Sequence, residues 1–89
     1  MFRDFDVIEA DAEQLRSILA AQIIKTLDER ALTTRKAQQI TGIAAADFSR
    51  IRHANLDRFT IDRLMTILNR LNYRVDVSVT LRPIVQANL

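Results

Sequence analysis

The chain has 89 residues, a formal net charge of +2, one Gly, one Pro and no Cys, and 48% of its side chains are hydrophobic. Such a composition fits one globular domain and excludes a disordered chain, a disulfide framework and a thiolate metal site. No apolar run approaches the roughly 18 residues of a membrane span and residues 1–10 do not resemble a signal peptide, so we expect a cytoplasmic protein with no membrane partner, cofactor or metal.

The first helix is predicted over residues 12–30. Residues 1–10 show no clear period and are predicted to form an arm. Asp11 can cap a helix, and Gln14 follows three positions later, as in a capping box. Apolar residues then recur at helical spacing, at Leu15, Ile18, Leu19, Ile23 and Leu27.

Two short helices with a tight turn between them are predicted next. Thr33 is a good N-cap for a helix that runs to about Thr41, and Gly42 stands where a left-handed residue is wanted. A third helix is predicted over residues 45–53, and Asn55 can take the left-handed conformation that ends it. The residues expected to anchor both helices in the core are Ile40, Ile43, Phe48 and Ile51.

A short helical turn is predicted over residues 56–59, and another helix follows it. Thr60 can cap this last helix, and Asn72 is suited to end it. Its apolar stripe consists of Ile61, Leu64, Met65, Leu68 and Leu71. The predicted fold is therefore mainly α, with a five-helix domain over residues 11–72.

The period then changes from helical to alternating, which predicts a β-strand over residues 73–82 and a tail over 83–89. The apolar members are Tyr73, Val75, Val77, Val79 and Leu81. One isolated strand leaves its backbone groups unpaired. We therefore expect it to pair with the same strand of a second molecule, antiparallel across a two-fold axis. Pairing with the segment Phe5 to Ile8 is the alternative.

Charge is distributed unevenly along the chain. The net charge is −4 over residues 1–29, +5 over residues 30–70 and +1 over residues 71–89. A basic middle region is a plausible footprint for a polyanion such as DNA, although a solvated surface with chance asymmetry would look the same.

The segment Leu32 to Arg52 has the residues that a helix-turn-helix unit needs. Ala37 is small where two helices cross steeply, and Gly42 can adopt the positive φ of the turn. The segment from Leu32 to Leu71 resembles the lambda repressor/Cro-like (XRE) helix-turn-helix family. The residues in register are Leu32-Thr33, Ala37, Gly42-Ile43, Phe48-Ser49-Arg50-Ile51 and Phe59 to Leu64. The tail resembles a subgroup with a C-terminal strand that includes HigA-type antitoxins.

This resemblance implies that the third helix enters the major groove of DNA. Its exposed positions would then face base edges, and Arg50 could pair bidentately with guanine. Ser49 could contact a base or a phosphate, whereas Ala45 and Ala46 could offer only methyl contacts. Many members of the family have Gln at the start of this helix, so this chain should make fewer specific hydrogen bonds. The predicted base contacts are thus Ala45, Ala46, Ser49 and Arg50.

Phosphate contacts are expected from the start of the second helix and the far end of the third. The predicted residues are Thr34, Arg35, Arg52, His53, Asn55 and Arg58. Arg52 and Arg58 could instead be solvated or ion-paired surface residues. His53 could instead interact with the C-terminal end of its own helix.

The predicted function is transcriptional regulation, most simply repression, by a homodimer that binds double-stranded DNA through residues 33–53. An alternative is an antitoxin that also neutralises a small basic, RelE-like toxin, with the acidic residues Asp4, Asp6, Glu9, Asp11 and Glu13 as a matching surface. A second alternative is a protein-interaction module without DNA binding. An enzyme is not expected, because one His, no Cys and no Gly-rich phosphate loop leave no recognisable catalytic group.

Overall fold

The fold is built from four α-helices. The structure, a computed structural model, describes the backbone of residues 4–85 and the side chains of residues 11–85. The helices are α1 (Asp4–Glu29), α2 (Thr34–Thr41), α3 (Ala45–Arg52) and α4 (Ile61–Arg70), and the described residues contain no strand. The short helical turn predicted over residues 56–59 is present as a single turn at Asp57 and Arg58, closed by a hydrogen bond from the Phe59 N–H to the Leu56 carbonyl (2.9 Å), but it is not a helix, so the described residues do not form a five-helix domain.

Helix α1 is longer than the sequence pattern predicts. It spans 26 residues from Asp4, so the start predicted at residue 12 and the arm over residues 1–10 are wrong, although residues 1–3 lie outside the described residues. The pair Asp11 and Gln14 lies inside the helix and does not cap it. The first ten residues hold no Gly or Pro that would break a helix, and carboxylates near a helix N-terminus interact favourably with its dipole.

Helices α1, α3 and α4 each end in a left-handed residue that lies one position beyond the cap. After α3 this residue is Ala54 (φ 57), because the Asn55 N–H donates to the Arg50 carbonyl at 2.9 Å. The prediction that Asn55 takes this conformation is therefore wrong by one position. In this Schellman arrangement, the left-handed residue directly precedes the residue whose N–H donates to the carbonyl five positions earlier in the chain. Ala31 (φ 50) ends α1 in the same way, and Asn72 (φ 74) ends α4 as predicted.

The hydrophobic core lies between α1 and α4, and α3 inserts into it. Large side chains from all three helices are fully buried there, which excludes water from the centre of the domain. Its buried apolar members are Leu19, Ala20, Ile23, Leu27, Ala37, Ile43, Phe48, Ile51, Phe59, Leu64, Ile67, Leu68 and Leu71.

Ile40 does not belong to this core. Its side chain is 50% exposed, so its predicted role as an anchor of α2 is wrong. The buried residues of α2 are Ala37 and Thr41, one helical turn apart. Thr41 is tolerated in this position because its hydroxyl donates to the Ala37 carbonyl (2.7 Å).

Beyond Asn72, residues 73–85 (the C-terminal segment) run without a helix, strand, turn or bend. Tyr73 ties the start of the segment to the domain. Its N–H donates to the Leu68 carbonyl (3.0 Å), its carbonyl accepts from Asn69 Nδ2 (2.9 Å), and the Arg30 guanidinium lies 4.9 Å from the centre of its ring. Val75 packs against the core.

The strand predicted over residues 73–82 is not present in the described structure of the single chain, in which these residues form no strand and no other described segment pairs with them. The alternative partner, the segment Phe5 to Ile8, is helical because it lies within α1. An unpaired strand needs another strand beside it to satisfy its backbone groups. The apolar side chains beyond Val75 remain largely exposed, at 60% for Val77, 75% for Val79 and 87% for Leu81.

Candidate nucleic-acid interface

The turn between α2 and α3 is fixed by local hydrogen bonds. Gly42 has a φ of 76°, and its N–H donates to the Gln38 carbonyl at 2.8 Å. The Thr41 hydroxyl donates to the Ala37 carbonyl and accepts from the Ile43 N–H (3.1 Å). The Ile43 side chain is then buried in the core. Hydrogen bonds hold the turn at Thr41 and Gly42, and the buried Ile43 side chain anchors it in the core. The relative orientation of α2 and α3 is therefore fixed.

The N-terminus of α3 is capped by a residue of α2. Ala44 stands at the N-cap position and has no side-chain acceptor to offer. Gln38 Oε1 takes this role and accepts from the Ala45 N–H at 2.8 Å. Sequence reasoning missed Gln38. An alanine at an N-cap signals that an acceptor must come from elsewhere, but the tertiary fold decides which residue supplies it.

Helix α3 has one buried face and one accessible face. Phe48 and Ile51 are fully buried, whereas Ala46 is exposed and Ala45, Ser49 and Arg50 are half-buried. The structure therefore brings the four predicted base-contacting residues together on one face of the helix, away from the core. This face offers two polar side chains and two methyl groups.

Arg50 is held by a neighbouring carboxylate. Its Nη1 atom lies 2.8 Å from Asp47 Oδ1, and the two side chains are 33% and 24% exposed. The other carboxylate oxygen of Asp47 lies 3.7 Å from Nη2 of Arg63 in α4. From the sequence alone, Asp47 is an awkward residue near phosphates and, in the first turn of its helix, a partner of the helix dipole. The spacing of three residues between Asp47 and Arg50 signals such a pair, whereas the contact with Arg63 requires the tertiary fold.

The first group of predicted phosphate contacts lies at the N-terminus of α2. Thr33 caps this helix as predicted, and its Oγ1 atom accepts from the Lys36 N–H at 3.0 Å. Thr34 is half-buried and Arg35 is exposed in the first turn, which contains no acidic residue. Free N–H groups, the helix dipole and a cationic side chain therefore coincide at this end of α2.

The second group lies at and beyond the C-terminus of α3. Arg52 Nη2 lies 2.9 Å from Asp28 Oδ1 of α1, in an ion pair with exposed fractions of 34% and 62%. His53 Nδ1 is hydrogen-bonded to the Ser49 carbonyl (2.8 Å), as expected for a histidine that interacts with the end of its own helix. Asn55 and Arg58 are exposed in the loop that follows. The structure thus places the two groups on either side of the turn, at the start of α2 and the end of α3.

A family model described as a helix-turn-helix domain matches residues 1–80. No curated protein and no solved structure matched the chain. Among the described residues, no helix is both long enough and apolar enough to cross a membrane.

Proposed function

The chain belongs to the helix-turn-helix domain family, and from this premise we propose that it regulates transcription, most simply as a repressor, by binding double-stranded DNA through α2 and α3. One observation carries the proposal. The accessible face of α3 is presented by a turn that hydrogen bonds and a buried core residue hold in place. A recognition helix needs such a fixed support, because its side chains must meet base edges in one orientation.

Base reading in this proposal depends mainly on Arg50. Arginine can donate two hydrogen bonds to O6 and N7 of guanine, and this is the commonest specific contact in the major groove. Ser49 lies beside it on the same face, and the methyl groups of Ala45 and Ala46 can contact thymine methyl groups. With so few polar contacts, selectivity would also depend on the shape of the DNA and on the spacing of two half-sites.

Phosphate binding would come from both ends of the unit and would supply most of the affinity. Thr34 and Arg35 stand at the start of α2, and Arg52, Asn55 and Arg58 stand at the end of α3 or just beyond it. Two members of this group already have partners in the chain, since the His53 ring bonds the Ser49 carbonyl and Arg52 is ion-paired with Asp28; Arg52 retains further N–H donors for a phosphate, whereas His53 is the weakest candidate. Residues 30–70 carry a net charge of +5, which would attract DNA over a distance of about one Debye length.

The experiment that tests DNA binding starts with a site selected from a random pool of duplexes by the purified protein. Gel shifts with the selected site and with an unrelated duplex then give the affinity for each across a range of salt concentrations. We expect the logarithm of the affinity to fall linearly with the logarithm of the salt concentration for both duplexes. Failure to bind any duplex at low salt would overturn the proposal.

Arg52→Ala should weaken binding to all duplexes by the same factor. A residue that contacts only phosphate carries no sequence information, so the ratio of affinities for selected and unrelated DNA should stay constant. The slope of log affinity against log salt should become shallower by roughly 0.9. Arg16→Ala is the matched control, because it removes one positive charge from α1 at a residue outside the helix-turn-helix unit and outside the groove beside the C-terminal segment. An equal change of slope in both variants would exclude a phosphate contact by Arg52.

We propose that the DNA-binding form is a homodimer joined through the C-terminal segment. Two recognition helices would then read half-sites about one helical turn apart, roughly 34–36 Å. The unpaired, largely apolar segment from Tyr73 to Val85 supports this proposal, because a second copy offers the missing partner.

An antitoxin is the second candidate. Its support is that the predicted acidic arm is part of α1, so Asp4, Asp6, Glu9, Asp11 and Glu13 are carried on one continuous helix. Such a helix would suit a small basic partner protein. If this candidate is correct, the gene beside this one encodes a small basic protein whose toxicity is suppressed when both are expressed. An isolated gene would count against it.

A further inference from the structure

The backbone of the C-terminal segment beyond Tyr73 makes no hydrogen bond to the described part of its own chain. Within the described part of the chain, Tyr73 is the only residue of the segment whose backbone groups are hydrogen-bonded. We infer that two copies of this chain pair antiparallel through residues 73–85 in one register, centred on Val79, in which Asp76 of each chain lies opposite the partner's Arg82. This inference rests on the proposed homodimer and adds to it the register of the interface.

Tyr73 determines which residues bond to the partner. In a strand, the N–H and C=O of one residue point to the same edge, and those of the next residue point to the opposite edge. Both backbone groups of Tyr73 bond to its own chain, at Leu68 and Asn69. In a strand formed by residues 73–85, odd-numbered residues would direct these groups to the edge at which Tyr73 is bonded, and even-numbered residues would direct them to the opposite edge, where a partner can pair.

Pro83 agrees with this assignment. A proline has no N–H, so within a sheet it is tolerated only where that group would point away from the neighbouring strand. Residue 83 is odd-numbered, and its nitrogen therefore lies on the side that bonds no partner. If odd-numbered residues pointed toward the partner strand instead, Pro83 would occupy a position at which the paired strands need an N–H donor.

Charge then selects among the possible registers. A two-fold axis at Asp76 would oppose two carboxylates, and one at Ser78 would oppose Arg74 and the partner's Arg82. An axis at Val77 would place Arg74 opposite Thr80 and Asp76 opposite Ser78, with no pair of unlike charges. An axis at Val79 would place Asp76 opposite the partner's Arg82 twice, by symmetry. An axis at Val75 also opposes unlike charges, but it pairs only residues 73–77.

The same register also buries the apolar side chains. With the axis at Val79, the ladder spans all of residues 73–85, Val79 faces its own copy and Val77 faces the partner's Leu81. Val75 packs against the core, and in a paired strand Val77, Val79 and Leu81 would lie on the same face as Val75. A groove of about 540 Å³ between α1 and the C-terminal segment leaves Leu15 37% and Ile18 50% exposed. The apolar face of the paired strands would extend over these two residues.

A scan with single cysteines measures the register directly, because the natural chain contains no Cys. Facing residues of antiparallel strands have Cα atoms about 4.5–5.5 Å apart, which is within the range that a disulfide bridges. Val79→Cys should therefore form a disulfide-linked dimer under mild oxidation. Val75→Cys, Val77→Cys and Leu81→Cys should not, because each would lie at least four residues, roughly 13 Å, from its own copy.

Charge reversal tests the cross-strand pair independently. Asp76→Arg or Arg82→Asp should each raise the dissociation constant of the dimer about tenfold or more, because two attractive pairs become repulsive. The double variant, or an equimolar mixture of the two single variants, should restore dimerisation. Arg74→Gln is the control, because this residue would face the partner's Ile84 and its exposed pair with Asp76 in the same chain (3.4 Å) contributes little. The reversals should not perturb the fold, since Asp76 is 87% exposed and Arg82 is also exposed.

The outcomes separate this inference from the proposal of DNA binding. A disulfide at position 77 instead of 79, or no rescue by the double charge reversal, would overturn the register. A monomer in sedimentation at all concentrations would overturn the interface, even if the chain still binds DNA. If Val79→Cys forms the disulfide but no duplex binds, the register stands and the proposed DNA binding fails.

Discussion

Phe48→Ala is expected to lower the free energy of unfolding by about 3–5 kcal/mol, the range measured for large aromatic residues in protein cores. The Phe48 side chain is fully buried and fastens α3 to the core. A small domain has a total stability of roughly 5–15 kcal/mol, so this variant should be close to unfolding at 37 °C and should lose DNA binding with its structure. Urea denaturation followed by circular dichroism measures the change.

Phe48→Leu is the control for this prediction. It keeps most of the apolar volume, and so it should retain most of the stability and all of the DNA selectivity. An unchanged urea midpoint for Phe48→Ala would contradict the position of Phe48 in the core. A normal midpoint together with lost binding would instead mean that Phe48 contacts DNA.

Arg50→Ala is expected to reduce the preference for the selected site over an unrelated duplex by about 5- to 150-fold, since one good bidentate base contact is worth about 1–3 kcal/mol. The side chain is one-third exposed and lies outside the core, so the urea midpoint should change little. The measurement is the ratio of the two affinities at one salt concentration. A ratio equal to that of the natural chain would exclude Arg50 as a base-reading residue.

Asp47→Ala extends this test to the carboxylate that holds Arg50. Loss of a negative charge beside DNA should strengthen binding to unrelated duplexes, while release of Arg50 from the 2.8 Å ion pair should lower the selectivity ratio. In the Arg50→Ala background, Asp47→Ala should leave the ratio unchanged. If Asp47→Ala strengthens binding to all duplexes by one factor, the carboxylate acts only through repulsion and does not position Arg50.

Much of the helix-turn-helix unit could be predicted because its signals are local. Thr33 and Thr60 cap the helices that follow them, Gly42 supplies the positive φ of the turn, and Asn72 ends α4. Each of these residues acts within four positions of its own place in the chain. Residue type alone is therefore enough to place them.

The start of α1 and the end of α3 were predicted wrongly for a related reason. Asp11 and Gln14 resemble a cap, but a capping pattern is also compatible with the interior of a long helix. Asn55 is a better left-handed residue than Ala54 by preference. The bond from the Asn55 N–H to the Arg50 carbonyl nevertheless requires the left-handed residue one position earlier, at an alanine. Geometry at the helix end outweighed the preference of the residue type.

Contacts between distant parts of the chain were not predictable from one sequence. Asp28 and Arg52 are 24 positions apart, and the fold brings their side chains to 2.9 Å. Gln38 caps α3 only because the turn folds α2 back beside it. The C-terminal segment belongs to the same class of problem. Its alternating pattern predicts a strand, but a strand needs a partner for its backbone groups, and the described part of the chain supplies none.

Arg70 connects the end of α2 with the end of α4, where the C-terminal segment begins. Its Nη1 atom donates to the Thr41 carbonyl at 3.1 Å, directly before the turn at Gly42, and Tyr73 is clamped to α4 three residues further along the chain. In a dimer joined through the C-terminal segment, this link would transmit the position of the two-fold axis to each copy of α3. The dimer would then bind DNA with one spacing between the two half-sites, and it would not bind DNA in which this spacing is lengthened by a few base pairs.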